Sequence, residues 1–257
     1  MKPLLYLVVL AGIWPAACVY CQHQPVRFEH CSLRQGLSQG SGYAITQDHH
    51  GYIWMGTQHG LNRFDGHTIS VYYNGDKGYS GSNFINHLLT DSAGNVWIAS
   101  TGGLSVLENA SRQFMTVSRL TQQKTALDSI AILQLWQDSK YRVWASSTVS
   151  GVFRVTHKNG SWQIAQFLGQ GPYRGGAITE DKTGRIWLSS QQDIFYYDEQ
   201  AGRFELCYVK GISGQKDIRA ILVDADNLLW VATFDDGIYI ISPDIREPAI
   251  VRHLCKA

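Results

Sequence analysis

Tryptophans recur at positions 54, 97, 144, 187 and 230, and an aspartate stands six residues before every one of them. The segments are DHHGYIW, DSAGNVW, DSKYRVW, DKTGRIW and DADNLLW, beginning at Asp48, Asp91, Asp138, Asp181 and Asp224. Successive tryptophans lie 43, 47, 43 and 43 residues apart. Self-similarity at a fixed period of this size belongs to chains built from stacked supersecondary units, none of which buries its own apolar faces alone. Whatever fold the chain adopts must therefore be a series of five related modules.

Each copy has the same grammar. A short apolar run leads into the aspartate (AITQD, HLLTD, LQLWQD, AITED, AILVD) and reads as a strand. Four residues then form a tight turn, in which the Asp side chain accepts from turn amides and Gly51, Gly94 or Gly184 supplies a positive φ. Asn227 suits that position in the fifth copy, whereas Tyr141 suits it poorly and marks the third copy as irregular. Second strands such as YIWMGT and RIWLSS follow, then a turn, a third strand, and a last strand: TISVYY, QFMTVSRL, WQIAQFLG, RFELCYV and AIVRHL. Four short strands in such a unit is the content of a propeller blade. The expected fold class is therefore all-β, a β-propeller of about five four-stranded antiparallel blades over residues 22–257. In that fold Trp54, Trp97, Trp144, Trp187 and Trp230 fill the gaps between blades, and the five aspartates cap turns. A catalytic carboxylate has no reason to recur in every copy. The segment VRFEH, containing Phe28, and the final AIVRHL both read as outermost strands. Two candidates for one closing position predict an incomplete ring.

Residues 1–21 read as a secretory signal peptide: Lys2 precedes the apolar run LLYLVVLAGIW, and small residues follow at Ala16 and Ala17. The run is short for a membrane span. A lipid on Cys18 is the minority reading, because Pro15 occupies a position where an aliphatic residue is expected. The expected location is thus exported and periplasmic. Cys31, Cys207 and Cys255 lie far apart, and no spacing selects a disulfide among them. Charged residues make up 17% of the chain and the net charge is +1, which leaves no single-sign field to attract nucleic acid.

The stretch GLSQGSGYAITQDHHGYIWMGTQHGLNRFDG resembles the two-component regulator propeller family, whose repeat reads D-x-x-G-x-[IV]-W-[IVM]-[GA]-[TS] followed by x-x-G-[LI]. The first copy matches through Gly51, Ile53, Trp54, Gly56, Thr57, Gly60 and Leu61, and the second through Gly94, Val96, Trp97, Ala99, Ser100, Gly103 and Leu104. The third and fifth copies carry one inserted residue before the later glycine, and the fourth has Asp193 in its place. FEHCSLRQGLSQ resembles the leader of such ectodomains, so the resemblance spans about residues 28–257. It implies the periplasmic sensory part of a hybrid histidine kinase, one that controls carbohydrate use, with more blades, a membrane helix and kinase domains elsewhere in the protein. On this resemblance the chain is a five-repeat piece, a truncated product or a short stand-alone relative.

No G-x-S-x-G, H-E-x-x-H or P-loop pattern occurs. His49, His50, His59 and His67 gather in the first copy, but at no recurring ligand spacing, so they are expected to be loop residues. DADN at Asp224–Asn227 is a copy of the structural turn and lacks a downstream acidic ligand set for calcium. FDDG at Phe234–Gly237 could offer carboxylates to sugar hydroxyls, although solvated turn acids are commoner. The reading is a non-catalytic ligand-binding propeller with no catalytic residue, metal or cofactor, taking an oligosaccharide through loops that the repeat does not single out. Its alternatives are a quinoprotein-like or glycosidase-like propeller enzyme, and a structural interaction module. Self-association and downstream kinase domains are the remaining expected partners.

Overall fold

The computed structural model describes residues 31–79, 81–169 and 175–255. The expected signal peptide, Cys18, Cys21 and the VRFEH segment lie outside the described residues. Among the described residues twenty strands form five separate four-stranded antiparallel sheets, each from strands consecutive in sequence. Blade 1 comprises β1 (Gly42–Gln47), β2 (Ile53–Thr57), β3 (Gly60–Phe64) and β4 (Ile69–Tyr72). Blade 2 comprises β5 (Ile85–Thr90), β6 (Val96–Ser100), β7 (Gly103–Leu107) and β8 (Phe114–Thr116). In blade 3 the strands are β9 (Ile132–Gln137), β10 (Val143–Ser147), β11 (Val152–Lys158) and β12 (Ser161–Phe167). Blade 4 holds β13 (Ile178–Glu180), β14 (Ile186–Ser189), β15 (Ile194–Asp198) and β16 (Arg203–Cys207). Blade 5 holds β17 (Ile218–Val223), β18 (Leu229–Thr233), β19 (Ile238–Ile241) and β20 (Ile250–Leu254). First strands of successive blades pack side by side, from β1 through β5, β9 and β13 to β17. Among the described residues the series does not close into a ring.

One expectation requires correction. QFMTVSRL is not a strand throughout. β8 ends at Thr116, and Val117–Thr121 form a short helix, α1. Thr116 is its N-cap, its hydroxyl accepting from the Arg119 amide at 3.2 Å, a contact that competes with continued strand pairing. Val117 and Thr121 are buried beneath it.

Alternation along the strands gives each sheet two apolar faces. The forward face of blade 1 carries Ala44, Gly56, Thr46 and Trp54, which are cross-strand partners in register. The rear face carries Ile45, Met55 and Ile53. Every internal interface sets the forward face of one blade on the rear face of the next. Trp54 packs with Leu88, Val96, Ile98 and Phe114 of blade 2. Trp97 packs with Leu135, Val143 and Ala145 of blade 3. Trp144 meets Ile178, Ile186 and Leu188 of blade 4, and Trp187 meets Ile221, Leu229 and Val231 of blade 5. These four indoles are at most 1% exposed. Each contributes roughly 4–6 kcal/mol of apolar burial before entropy costs, an upper figure. Gly56 reflects how close these sheets approach, since a Cβ there would lie 2.4 Å from Ile85 Cγ2 of blade 2.

Candidate functional site

The repeated aspartates and tryptophans form five copies of one clasp. Oδ2 of Asp48, Asp91, Asp138, Asp181 and Asp224 accepts the indole N–H of Trp54, Trp97, Trp144, Trp187 and Trp230 at 2.9, 2.8, 2.7, 2.8 and 2.6 Å. Oδ1 accepts turn amides, such as Ala93 N at 3.0 Å and Asn95 N at 2.8 Å in blade 2. The six-residue spacing is that of a β-hairpin: four turn residues bring the second strand back so that its indole edge reaches the carboxylate at the turn. Gly51, Gly94 and Gly184 hold φ of 84°, 85° and 80° in these turns, Asn227 takes 63°, and Tyr141 takes 61° despite its Cβ. Asp181 has a depressed pKa: burial opposes this, but hydrogen bonds from Thr183, Trp187 and the turn amides outweigh it. A carboxylate whose two oxygens are engaged by indole and amides is committed to the scaffold.

In blade 3 the clasp is extended. Arg142 Nε lies 2.5 Å from Asp138 Oδ2, and its Nη2 lies 2.6 Å from Glu199 Oε1 of blade 4, which also takes Lys140 at 2.7 Å. Burial pushes Glu199 upward, yet the hydrogen bonds and charges of Arg142 and Lys140 hold it at about 2.

The histidines of blade 1 do not converge. His50 Nε2 is 3.1 Å from Asn109 Oδ1, and His59 lies edge-on to Tyr73 at 5.5 Å. Among the described residues no group of three His, Cys, Asp or Glu side chains could hold a metal ion. Asp236 of FDDG pairs with Lys216 at 2.5 Å and accepts from Tyr239. Cys31, Cys207 and Cys255 are free thiols, and burial pushes Cys207 up to about 11.

A different set of residues, which the repeat did not single out, lines a concavity of about 400 Å³ at the beginnings of the innermost strands. His87 of β5, Leu133 and Gln134 of β9, the Gly175–Ala177 lead into β13, Gln191, Asp217, and Arg219 of β17 converge there from four blades. Irregular register at these strand starts, between Ile85 and His87 and between Ile218 and Ala220, places one extra residue on the inner strand. Such bulges re-aim side chains, here Asn86 and Arg219. Cross-blade bonds set the rim: Asn86 Nδ2 donates to Ile132 O at 2.7 Å, and Ile178 N donates to Gln134 Oε1 at 2.9 Å. Arg219 Nη2 meets Asp217 Oδ2 at 2.6 Å, and its guanidinium lies 4.5 Å from the ring centroid of Phe234, which is 72% exposed. Burial lowers the pKa of His87, whose Nδ1 has no hydrogen-bond partner, so the imidazole is neutral at neutral pH. The lining thus offers amides, one ion pair, one neutral imidazole and a nearby aromatic face. Among the described residues Asp217 is its sole carboxylate. A concave wall with a few convergent polar groups is the general form of a small-ligand site.

Residues 79–102 match the family model described as "Two component regulator propeller". A stretch of 59 residues is 42% identical to histidine kinase P4 of Formosa agariphila, covering 23% of this chain and 4% of the kinase. Among solved structures, the chain is similar to the extracellular domain of BT4673 from B. thetaiotaomicron, assigned as a hybrid two-component system. That likeness has 23% identity and a TM-score of 0.65, and covers 84% of this chain and 31% of that one. PorZ, a bacterial surface component of the type-IX secretion system of Porphyromonas gingivalis, gives 18% identity and a TM-score of 0.63 over 82% of this chain and 33% of its own. Virginiamycin B lyase from Staphylococcus aureus gives 15% identity and a TM-score of 0.59 over 79% of this chain and 67% of its own. The similar folds therefore include an extracellular domain of a two-component system and a lyase, and this chain spans about a third of the length of the former. A two-component regulator propeller repeat is thus matched at residues 79–102, within a fold of five four-stranded sheets.

Proposed function

We propose that this chain is a non-catalytic, ligand-binding sensory region of an exported two-component regulator, acting in the periplasm, and that the rim formed by Gln134, Asp217 and Arg219 takes a carbohydrate fragment. Kinase domains elsewhere in a longer protein would receive the signal. The observation that carries the reading is the concavity itself. Four blades contribute to it, and its polar groups are those that pair with hydroxyls: a carboxylate accepts, a guanidinium donates in a planar fork, and amides do both. Phe234 beside Arg219 adds an exposed ring against which the apolar face of a sugar can lie. The single carboxylate favours binding over hydrolysis. A ligand touching several blades would favour one arrangement of them, which is how occupancy could be passed along the chain.

Calorimetric titration with a panel of oligosaccharides tests this. One class should bind and raise the melting temperature. Arg219→Ala should weaken that binding about tenfold, a loss of about 1.4 kcal/mol, without lowering the unliganded melting temperature. No binding by any member of the panel, or turnover of chromogenic glycosides, would overturn the proposal.

A further inference from the structure

At two junctions between blades, the connection joining the third and fourth strands of one blade meets the aspartate turn of the blade before it, and the charges that meet are opposite. Arg112, in the 108–113 connection of blade 2, lies 3.7 Å from Asp48 of blade 1. Glu199, in the 199–202 connection of blade 4, takes Arg142 and Lys140 of blade 3 at 2.6 and 2.7 Å. The junction of blades 4 and 5 breaks this rule. The 242–249 connection of blade 5 carries Arg246, and the aspartate turn of blade 4 runs into Arg185. Both arginines line one concavity of about 470 Å³, with Tyr196 of β15 and Ile245 in its wall. Ile245 anchors the connection by packing against the core cluster that contains Trp187.

The carboxylates around these two arginines are committed elsewhere. Asp198 Oδ1 accepts the Gln200 and Ala201 amides at 2.8 and 3.0 Å, and Glu199 is held by Arg142 and Lys140. Asp181 Oδ2 lies 3.9 Å from Arg185 Nη1 but already accepts the Trp187 indole, while its Oδ1 takes Thr183 and the turn amides. Among the described residues the Arg246 guanidinium forms no ion pair, and neither Asp244 nor Glu247 beside it supplies one. Asp244 instead accepts the Arg246 backbone amide at 2.9 Å, which shapes the connection. We infer that this concavity is a second ligand site, one that takes a small molecule bearing a carboxylate. A guanidinium presents a planar fork of donors that matches a carboxylate bidentately, and the ligand would bring to this junction the negative charge that Glu199 brings to the one before it. Tyr196 offers a ring against which the uncharged part can lie, and the volume is that of a small-molecule pocket. The site lies at the aspartate-turn end of the blades, the opposite end from the rim of Gln134, Asp217 and Arg219, so it does not depend on the carbohydrate reading.

Calorimetric titration of the full chain with acetate, citrate and glucuronate, beside glucose and inorganic sulfate, tests this. At least one carboxylate should bind one to one with a Kd below about 10 mM, and more tightly than sulfate. Arg246→Ala and Arg185→Gln should each weaken that binding about tenfold, whereas Arg219→Ala should leave it unchanged. Arg246→Glu sets a carboxylate where blade 4 has Glu199, so it should abolish the binding and raise the unliganded melting temperature at low salt. Any binding of glucose should be untouched by Arg246→Glu, which keeps the two sites distinguishable. The inference is overturned if no carboxylate binds saturably or if sulfate binds more tightly than all of them. It also fails if carboxylate binding survives Arg246→Glu or is lost with Arg219→Ala.

Discussion

At the scale of single residues, the aspartate before each tryptophan serves two strands at once. One oxygen closes the turn and the other fixes the indole, so the side chain that fills the gap between blades is oriented by hydrogen bonds within its own blade. Identical chemistry in unequal surroundings gives a direct comparison. Trp97→Ala removes a side chain 0% exposed and should cost about 3–5 kcal/mol, while Trp230→Ala, which removes a half-buried indole, should cost about half as much. Urea denaturation of both variants measures the difference. The carboxylates also make stability depend on acid. Glu199 titrates at about 2 in the folded chain, because Arg142 and Lys140 outweigh the opposing effect of burial. Its folded value lies below the ordinary glutamate value of about 4.3, so its stabilisation is present above that pH and is lost as the pH falls towards 2. Asp181, depressed in the same direction, adds to this loss. Melting temperature measured across the acid range should fall, and Glu199→Gln should flatten part of that slope.

At the scale of elements, turn and strand are specified separately. The turn position after each aspartate requires a left-handed residue, and blade 3 fills it with Tyr141 at φ 61°, 72% exposed. Tyr141→Gly removes the backbone strain and little packing, so it should stabilise the chain by about 1 kcal/mol, read as a higher urea midpoint at an unchanged slope. The misfit was legible in the sequence because the other copies supply its contrast. The helix at Val117–Thr121 was not legible. VSRLT is as compatible with a strand as with a helical turn, and what decides is the Thr116 cap together with burial of Val117 against blade 3. The rim residues were hidden for the opposite reason. His87, Gln134 and Arg219 stand where the copies differ, and a search by period finds what recurs. Their signal lies in irregular strand register, visible only once partners are paired.

At the scale of the whole molecule, the recurring positions make the scaffold and the variable positions at one end of the inner strands make the candidate site. The architecture could be anticipated because a period of this length admits few solutions, and blade succession follows from chain order. Among the described residues the five blades do not close into a ring, which agrees with the expected incomplete ring; VRFEH, one of the surplus outer strands behind that expectation, lies outside the described residues. That Trp54, Trp97, Trp144 and Trp187 are each received by the following module has an evolutionary consequence. Duplicating or deleting one genetic segment leaves every surviving junction chemically as it was, so the number of modules is free to drift between descendants while the grammar of each stays the same.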